Sequence, residues 1–175
     1  MMIRFFSFFR LMAVTLLFFA ANGMAYAQSA NQNRLMLSAG LLYERGLDAT
    51  LAWEHETRYH HAWEFFASAY TKFQKDEVAG HYTKDSFWKS YNTWNVGVAY
   101  KPCISRGRNH YGSLRIGASA GSDTHEFIGF IHVGYEHTYA LRSGWALFFQ
   151  LREDVSIPGK DNFRTGFGLG VKCPL

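Results

Sequence analysis

The chain has 175 residues, one domain's worth, with 16 Phe, 10 Tyr, 5 Trp and 16 Gly against only 3 Pro. That mix suits β-strands and tight turns and excludes disordered and collagen-like chains. The formal charge of +4 falls to about +2 once Arg4 and Arg10 are set aside with the leader, and no Lys/Arg run occurs, which argues against a nucleic-acid binder.

Arg4 and Arg10 form a positive n-region, residues 11–21 an uncharged apolar run, and Ala25-Tyr26-Ala27 an A-x-A cleavage site. Residues 1–27 therefore read as a cleaved signal peptide, followed by a mature domain over 28–175. The apolar run is short of the ~20 residues that a spanning helix needs. No Cys stands at the cleavage site, so a lipoprotein is not expected. Beyond Gln28 there is no run of ~18 apolar residues. In a membrane, such a chain has to form a closed barrel, because only helices and barrels satisfy the backbone there.

The mature chain alternates with a period of two, the signature of strands. A first strand is placed at 34–43. In the second, Leu47, Ala49, Leu51, Trp53 and His55 oppose Asp48, Thr50, Ala52, Glu54 and Glu56. In the third, at 62–73, Trp63, Phe65, Ala67 and Ala69 oppose Glu64, Phe66, Ser68 and Tyr70. A fourth is placed at 90–101. The fifth, sixth, seventh and eighth alternate in the same way around Leu114–Arg115, Ile131–His132, Leu147–Phe148 and Leu169–Gly170. Strands of about 9–12 residues match the length that a tilted strand needs to cross a bilayer. The predicted fold is all-β: a single eight-stranded antiparallel up-and-down outer-membrane β-barrel.

The polar parity carries Asp48, Glu54, Glu56, Glu64, Glu136 and Asp154 against Lys72, Lys101, Arg115, Arg152, Arg164 and Lys172. The two sets nearly balance, which suits a lumen filled by side chains, as expected for eight strands. Gly97, Gly117, Gly134, Gly166, Gly168 and Gly170 share that parity and leave room for long charged side chains. The competing reading, a soluble sandwich, would place the same charges in water.

With a periplasmic amino terminus, the long polar segment 74–89 faces outside, and its Tyr82, Phe87 and Trp88 are candidate exterior contacts. The segment 102–112 reads as a long basic periplasmic turn, with Arg106 and Arg108 as candidate contacts to acidic partners. Cys103 and Cys173 share the periplasmic end, on walls half a barrel apart; whether they form a disulfide is left open. No metal, cofactor or small-molecule substrate is indicated. His60-His61 reads as a solvated loop pair. His132 lies close to Glu136 on one face, a weak base-and-orienter pair better read as part of a lumen network. Ser122-Asp123-Thr124-His125 reads as a polar loop, since triads are defined by space and not adjacency. No HExxH, Walker A or nucleophile elbow occurs, so the chain reads as non-enzymatic.

The stretch Ser86-Phe87-Trp88-Lys89-Ser90-Tyr91-Asn92-Thr93-Trp94-Asn95-Val96-Gly97-Val98-Ala99-Tyr100-Lys101-Pro102-Cys103, continuing through Ser105-Arg106-Gly107-Arg108-Asn109-His110, resembles the TraO family of conjugal transfer proteins. So do Gly121-Ser122-Asp123-Thr124, residues 134–140 and Phe163-Arg164-Thr165-Gly166. The resemblance implies a barrel in the outer membrane of a Gram-negative bacterium. It also implies a structural or interaction role in a mating apparatus, with outer-membrane lipid and other apparatus proteins as partners. The alternatives are an adhesion or ligand-binding barrel using 74–89, and a lipid-modifying barrel enzyme with His132 or His125 as base.

Overall fold

Alternating side chains set which way each strand faces, and the strands then pair through their backbones into one continuous wall. The structure, a computed structural model, describes residues 32–43, 45–74, 76, 80, 81, 83, 91–123, 125–157 and 162–175. The expected signal peptide, and Tyr82, Phe87 and Trp88, lie outside the described residues. The strands are β1 (Gln32–Leu42), β2 (Gly46–Glu56), β3 (Ala62–Lys72), β4 (Tyr91–Lys101), β5 (Cys103–Arg106), β6 (His110–Ser122), β7 (Phe127–Ala140), β8 (Ala146–Ile157) and β9 (Phe163–Pro174).

The order is β4-β3-β2-β1-β9-β8-β7-β6-β5, and β4 also pairs with β6. That last pairing closes the sheet. β5 continues β4 beyond Pro102, which has no N–H for the ladder, so the nine strands make eight staves. Every pairing is antiparallel. The fold is therefore the predicted closed eight-stranded barrel. An 11-residue strand such as β2 is about 36 Å long and, tilted by about 40°, stands about 28 Å tall, close to the apolar band of an outer-membrane barrel.

The wall is apolar outside and polar inside. Leu37, Leu51, Phe65, Val96, Ile116 and Leu169 are exposed on the outer face, while Glu54, Glu64, Glu136, Lys101, Arg115 and Lys172 are buried. Lys101 and Lys172 keep 1% and 0% of their surface, which rules out a sandwich with this face in water. Arg34, not among the expected lumen charges, also points inward. Met36, Ala52, Phe66, Ala99 and Phe148 form an apolar cluster within the lumen.

Connections alternate between two ends. The loop end carries the turn at Arg45 and the connections after β3, β6 and β8; the terminal end carries the start of β1, the end of β9 and the connections after β2, β5 and β7. The segment 102–112 differs from the expected turn. Cys103, Ser105 and Arg106 pair with Ser113, Gly112 and Tyr111 across a β-bulge, so a hairpin extends the wall and only 107–109 turn. Gly107 N–H donates to the His110 carbonyl at 2.7 Å and closes it.

Candidate functional site in the lumen and terminal hairpin

The strand register brings three carboxylates and two ammonium groups together near the terminal end. Lys172 Nζ donates to both Glu54 oxygens at 2.9 Å and to Glu136 Oε1 at 2.7 Å. Lys101 Nζ donates to both Glu136 oxygens at 3.1 Å, lies 3.0 Å from Glu64 Oε2, and pairs with Glu54. Arg115 reaches Glu64 Oε1 through Nη2 at 2.7 Å and Nε at 3.0 Å. Nearer the end, Arg34 pairs with Glu56 at 3.2 Å and donates to Tyr111 Oη at 3.1 Å, and Tyr111 donates to Glu56. Glu54, Glu64 and Glu136 place oxygens within 4.8 Å of one another, close enough to suggest a cation site. The two lysine ammonium groups already supply the cations there. Groups so buried are tolerated only when each charge is matched.

Higher in the lumen, Ser119 on β6, His132 on β7 and Asp154 on β8 form a chain. Ser119 Oγ lies 2.7 Å from His132 Nε2, and His132 Nδ1 lies 2.7 Å from Asp154 Oδ1. His132 and Asp154 are directly opposite in register, and Ser119 is diagonal to His132. A carboxylate accepts, so Nδ1 carries the proton and Nε2 is left to accept from the serine hydroxyl. Arg152 holds the other Asp154 oxygen at 3.1 Å and Asp48 at 2.8 Å. The expected His132–Glu136 pair does not form. The two share a face but are separated along β7, whereas Asp154 stands beside the imidazole on the neighbouring strand. The sequence carries no signal for Ser119: an isolated Ser on a strand is silent until the register is known.

At the loop end Arg164 is 4% exposed, yet its Nε and Nη2 have no hydrogen-bond partner among the described residues. Its Nη1 donates to Thr93 Oγ1 at 3.0 Å, and its guanidinium sits over Tyr70 at 4.3 Å and Phe130 at 5.1 Å.

The terminal hairpin gathers other expected residues. Arg106 and Arg108 are both exposed, but Arg106 is tied back: its Nε donates to the Tyr59 carbonyl at 3.1 Å and its guanidinium stacks on the Tyr59 ring. Tyr59 and His60 both take left-handed backbone angles (φ 65° and 61°), a strained turn held by this contact. The histidines are not a solvated pair. His60 stacks on Tyr111 at 4.4 Å and bonds Glu56 at 2.6 Å, while His61 Nδ1 accepts the Cys103 N–H at 3.1 Å. Cys103 and Cys173 are free thiols, on β5 and β9, separated by the intervening staves.

In the β6–β7 turn, Asp123 accepts N–H groups from Glu126 at 2.8 Å and His125 at 3.0 Å, which hold its carboxyl below the usual range. Thr124 lies outside the described residues and His125 is exposed, so the Ser-Asp-Thr-His run is turn chemistry. A shallow groove lined by Leu35, Leu51, Trp53, Phe65, Val96 and Ala118 lies on the outer wall.

The fold and these surfaces define an outer-membrane-type barrel. The chain is similar in structure to a protein from work on de novo design of transmembrane β-barrels, at 9% identity and TM-score 0.53, covering 87% of this chain and 100% of that one. It is also similar to a major outer membrane protein from Thermus thermophilus, at 12% identity and TM-score 0.53, covering 84% and 100%. No family model matches the chain. No curated protein matches it either.

Proposed function

We propose that this chain is an outer-membrane component of a conjugative transfer apparatus, with a structural and interaction role. The apolar outer belt and closed wall support residence in the outer membrane, reached by the signal peptide 1–27. The resemblance of residues 86–103, 105–110, 121–124, 134–140 and 163–166 to TraO proteins supports the link to conjugation. One structural observation favours a scaffold over a pore: Glu54, Glu64, Glu136, Lys101, Lys172 and Arg115 fill the lumen with matched charges. Work is then done by surfaces, and the terminal hairpin, with exposed Ile104, Arg106 and Arg108, offers one to partners in the periplasm. Those partners are other apparatus proteins with acidic surfaces.

The test is mating frequency from a donor with an in-frame deletion, with and without a complementing copy. Loss of transfer, restored by the copy, is the expected result. Unchanged transfer removes the conjugation role while leaving the barrel.

A further inference from the structure

We propose that Ser119 is an activated nucleophile, with His132 as its base and Asp154 as the group that orients the base, forming a site for an anionic carboxylic ester. This goes beyond the scaffold role and does not depend on it. The chain Ser119 Oγ to His132 Nε2 to Asp154 Oδ1, at 2.7 Å and 2.7 Å, has the order and reach of a serine nucleophile with its base and orienter. His132 and Asp154 are buried, and the acceptor-only Asp154 carboxylate beside Nδ1 favours the tautomer that leaves Nε2 free to accept, while Ser119 is only half-buried. Asp154 is itself fixed by Arg152 at 3.1 Å.

A second, independent observation points to the ligand's charge. Arg34, Lys101, Arg115, Arg152 and Lys172 each have a carboxylate partner, whereas among the described residues Arg164 has none, and its buried Nε and Nη2 are without a hydrogen-bond partner. A buried guanidinium in this state is completed by an anion. The two features share one wall. The Phe130 ring stacks on His132 at 6.0 Å and lies 5.1 Å from the Arg164 guanidinium, and Arg164 is the register partner of Asp154.

In the reaction, Ser119 Oγ bonds to the ester carbonyl carbon and its proton passes to His132 Nε2. The tetrahedral adduct then breaks its bond to the alcohol, which leaves with that proton. Water attacks the acyl-Ser119, gives a proton to His132, and the carboxylic acid departs as Ser119 recovers it. Arg164 binds the anionic group of the substrate.

The test uses the full chain folded in detergent micelles, with folding checked by heat-modifiable gel mobility, and a fluorophosphonate probe read by mass spectrometry. One adduct on Ser119 is expected, absent in Ser119→Ala and slowed on the order of 100-fold in His132→Gln and Asp154→Asn. Arg164→Gln is expected to raise KM for a p-nitrophenyl ester bearing a carboxylate, and not for p-nitrophenyl acetate. A folded wild-type barrel that takes no adduct overturns the proposal. So does labelling at the same rate in folded His132→Gln. A KM change in Arg164→Gln that is equal for the two esters removes the anion assignment.

Discussion

Lys172 on β9 and Glu54 on β2 are 118 residues apart in sequence and meet inside the barrel, with Nζ 2.9 Å from both carboxylate oxygens. The contact exists only because β1 lies between their two strands and pairs with both. Replacing Lys172 leaves three buried carboxylates, Glu54, Glu64 and Glu136, to share two buried cations, Lys101 and Arg115. Lys172→Met is expected to destabilise the folded barrel by about 3–5 kcal/mol. The double variant Lys172→Met with Glu54→Leu recovers part of that loss. Urea unfolding in lipid vesicles, read as a double-mutant cycle, checks both. Additive losses would show that the pair is not coupled.

Close approach of staves decides which glycines tolerate a methyl group. A Cβ on Gly170 would lie 2.5 Å from the Leu37 carbonyl oxygen and 2.6 Å from Phe148 Cε1, and the backbone oxygen cannot yield. Gly170→Ala should cost about 1–3 kcal/mol. At Gly129 the nearest atom is the Ile157 carbonyl oxygen at 3.4 Å, so Gly129→Ala should stay within about 0.5 kcal/mol of wild type. Equal losses at both sites, measured in the same urea series, would contradict this packing.

Arg106 and Arg108 test the terminal hairpin as a contact. Arg106→Glu combined with Arg108→Glu should lower mating frequency while heat-modifiable mobility and membrane fractionation stay as in wild type. Arg106→Lys separates the two roles of Arg106, because it keeps the charge and weakens the stacked tie to Tyr59. Transfer at wild-type frequency in the double variant removes the contact.

Both thiols are free. Alkylation of the denatured chain without reductant should add two groups, at Cys103 and Cys173, and reductant should leave the unfolding midpoint unchanged. A chain that takes no label until reduced would show a disulfide.

The β6–β7 turn should depend on acid pH. The Glu126 and His125 amides hold the Asp123 carboxyl below its ordinary value. A lowered folded pKa means that the turn is supported above the unfolded value of ~3.9 and loses that support as pH falls through the folded value. The Glu126 amide should therefore keep its hydrogen bond as pH falls to the ordinary carboxyl value and lose it, seen as an NMR shift, only at more acid pH. Asp123→Ala should lack the bond at every pH.

Much of the fold is legible in the sequence because a period of two needs no knowledge of pairing: Leu51 against Ala52, or Ile131 against His132, already separates outside from inside. The lumen charges are legible for the same reason. Which charges meet is not, because that depends on register between distant strands. His132 takes Asp154 over Glu136 through a pairing that no local spacing reveals. Ser119 stays hidden because its partner lies across a turn on the next strand. Pro102 and Gly107 read as loop residues, yet the backbone between them pairs with β6 around a bulge, so a predicted turn is a hairpin. The sequence places Arg164 on the correct face, but that its Nε and Nη2 lack a partner among the described residues is a property of the packed lumen.

A membrane-spanning barrel requires that the outer face of its wall meet lipid. Nitroxide labels placed one at a time from Ile128 to Thr138 on β7, with the protein in lipid vesicles, test this most directly. Ile131 and Val133 should be reached by oxygen and shielded from a water-soluble nickel complex, while His132, Gly134 and Glu136 should show the opposite of the oxygen response. Nickel access at Ile131 and Val133, with no alternation along β7, would contradict a membrane-spanning barrel.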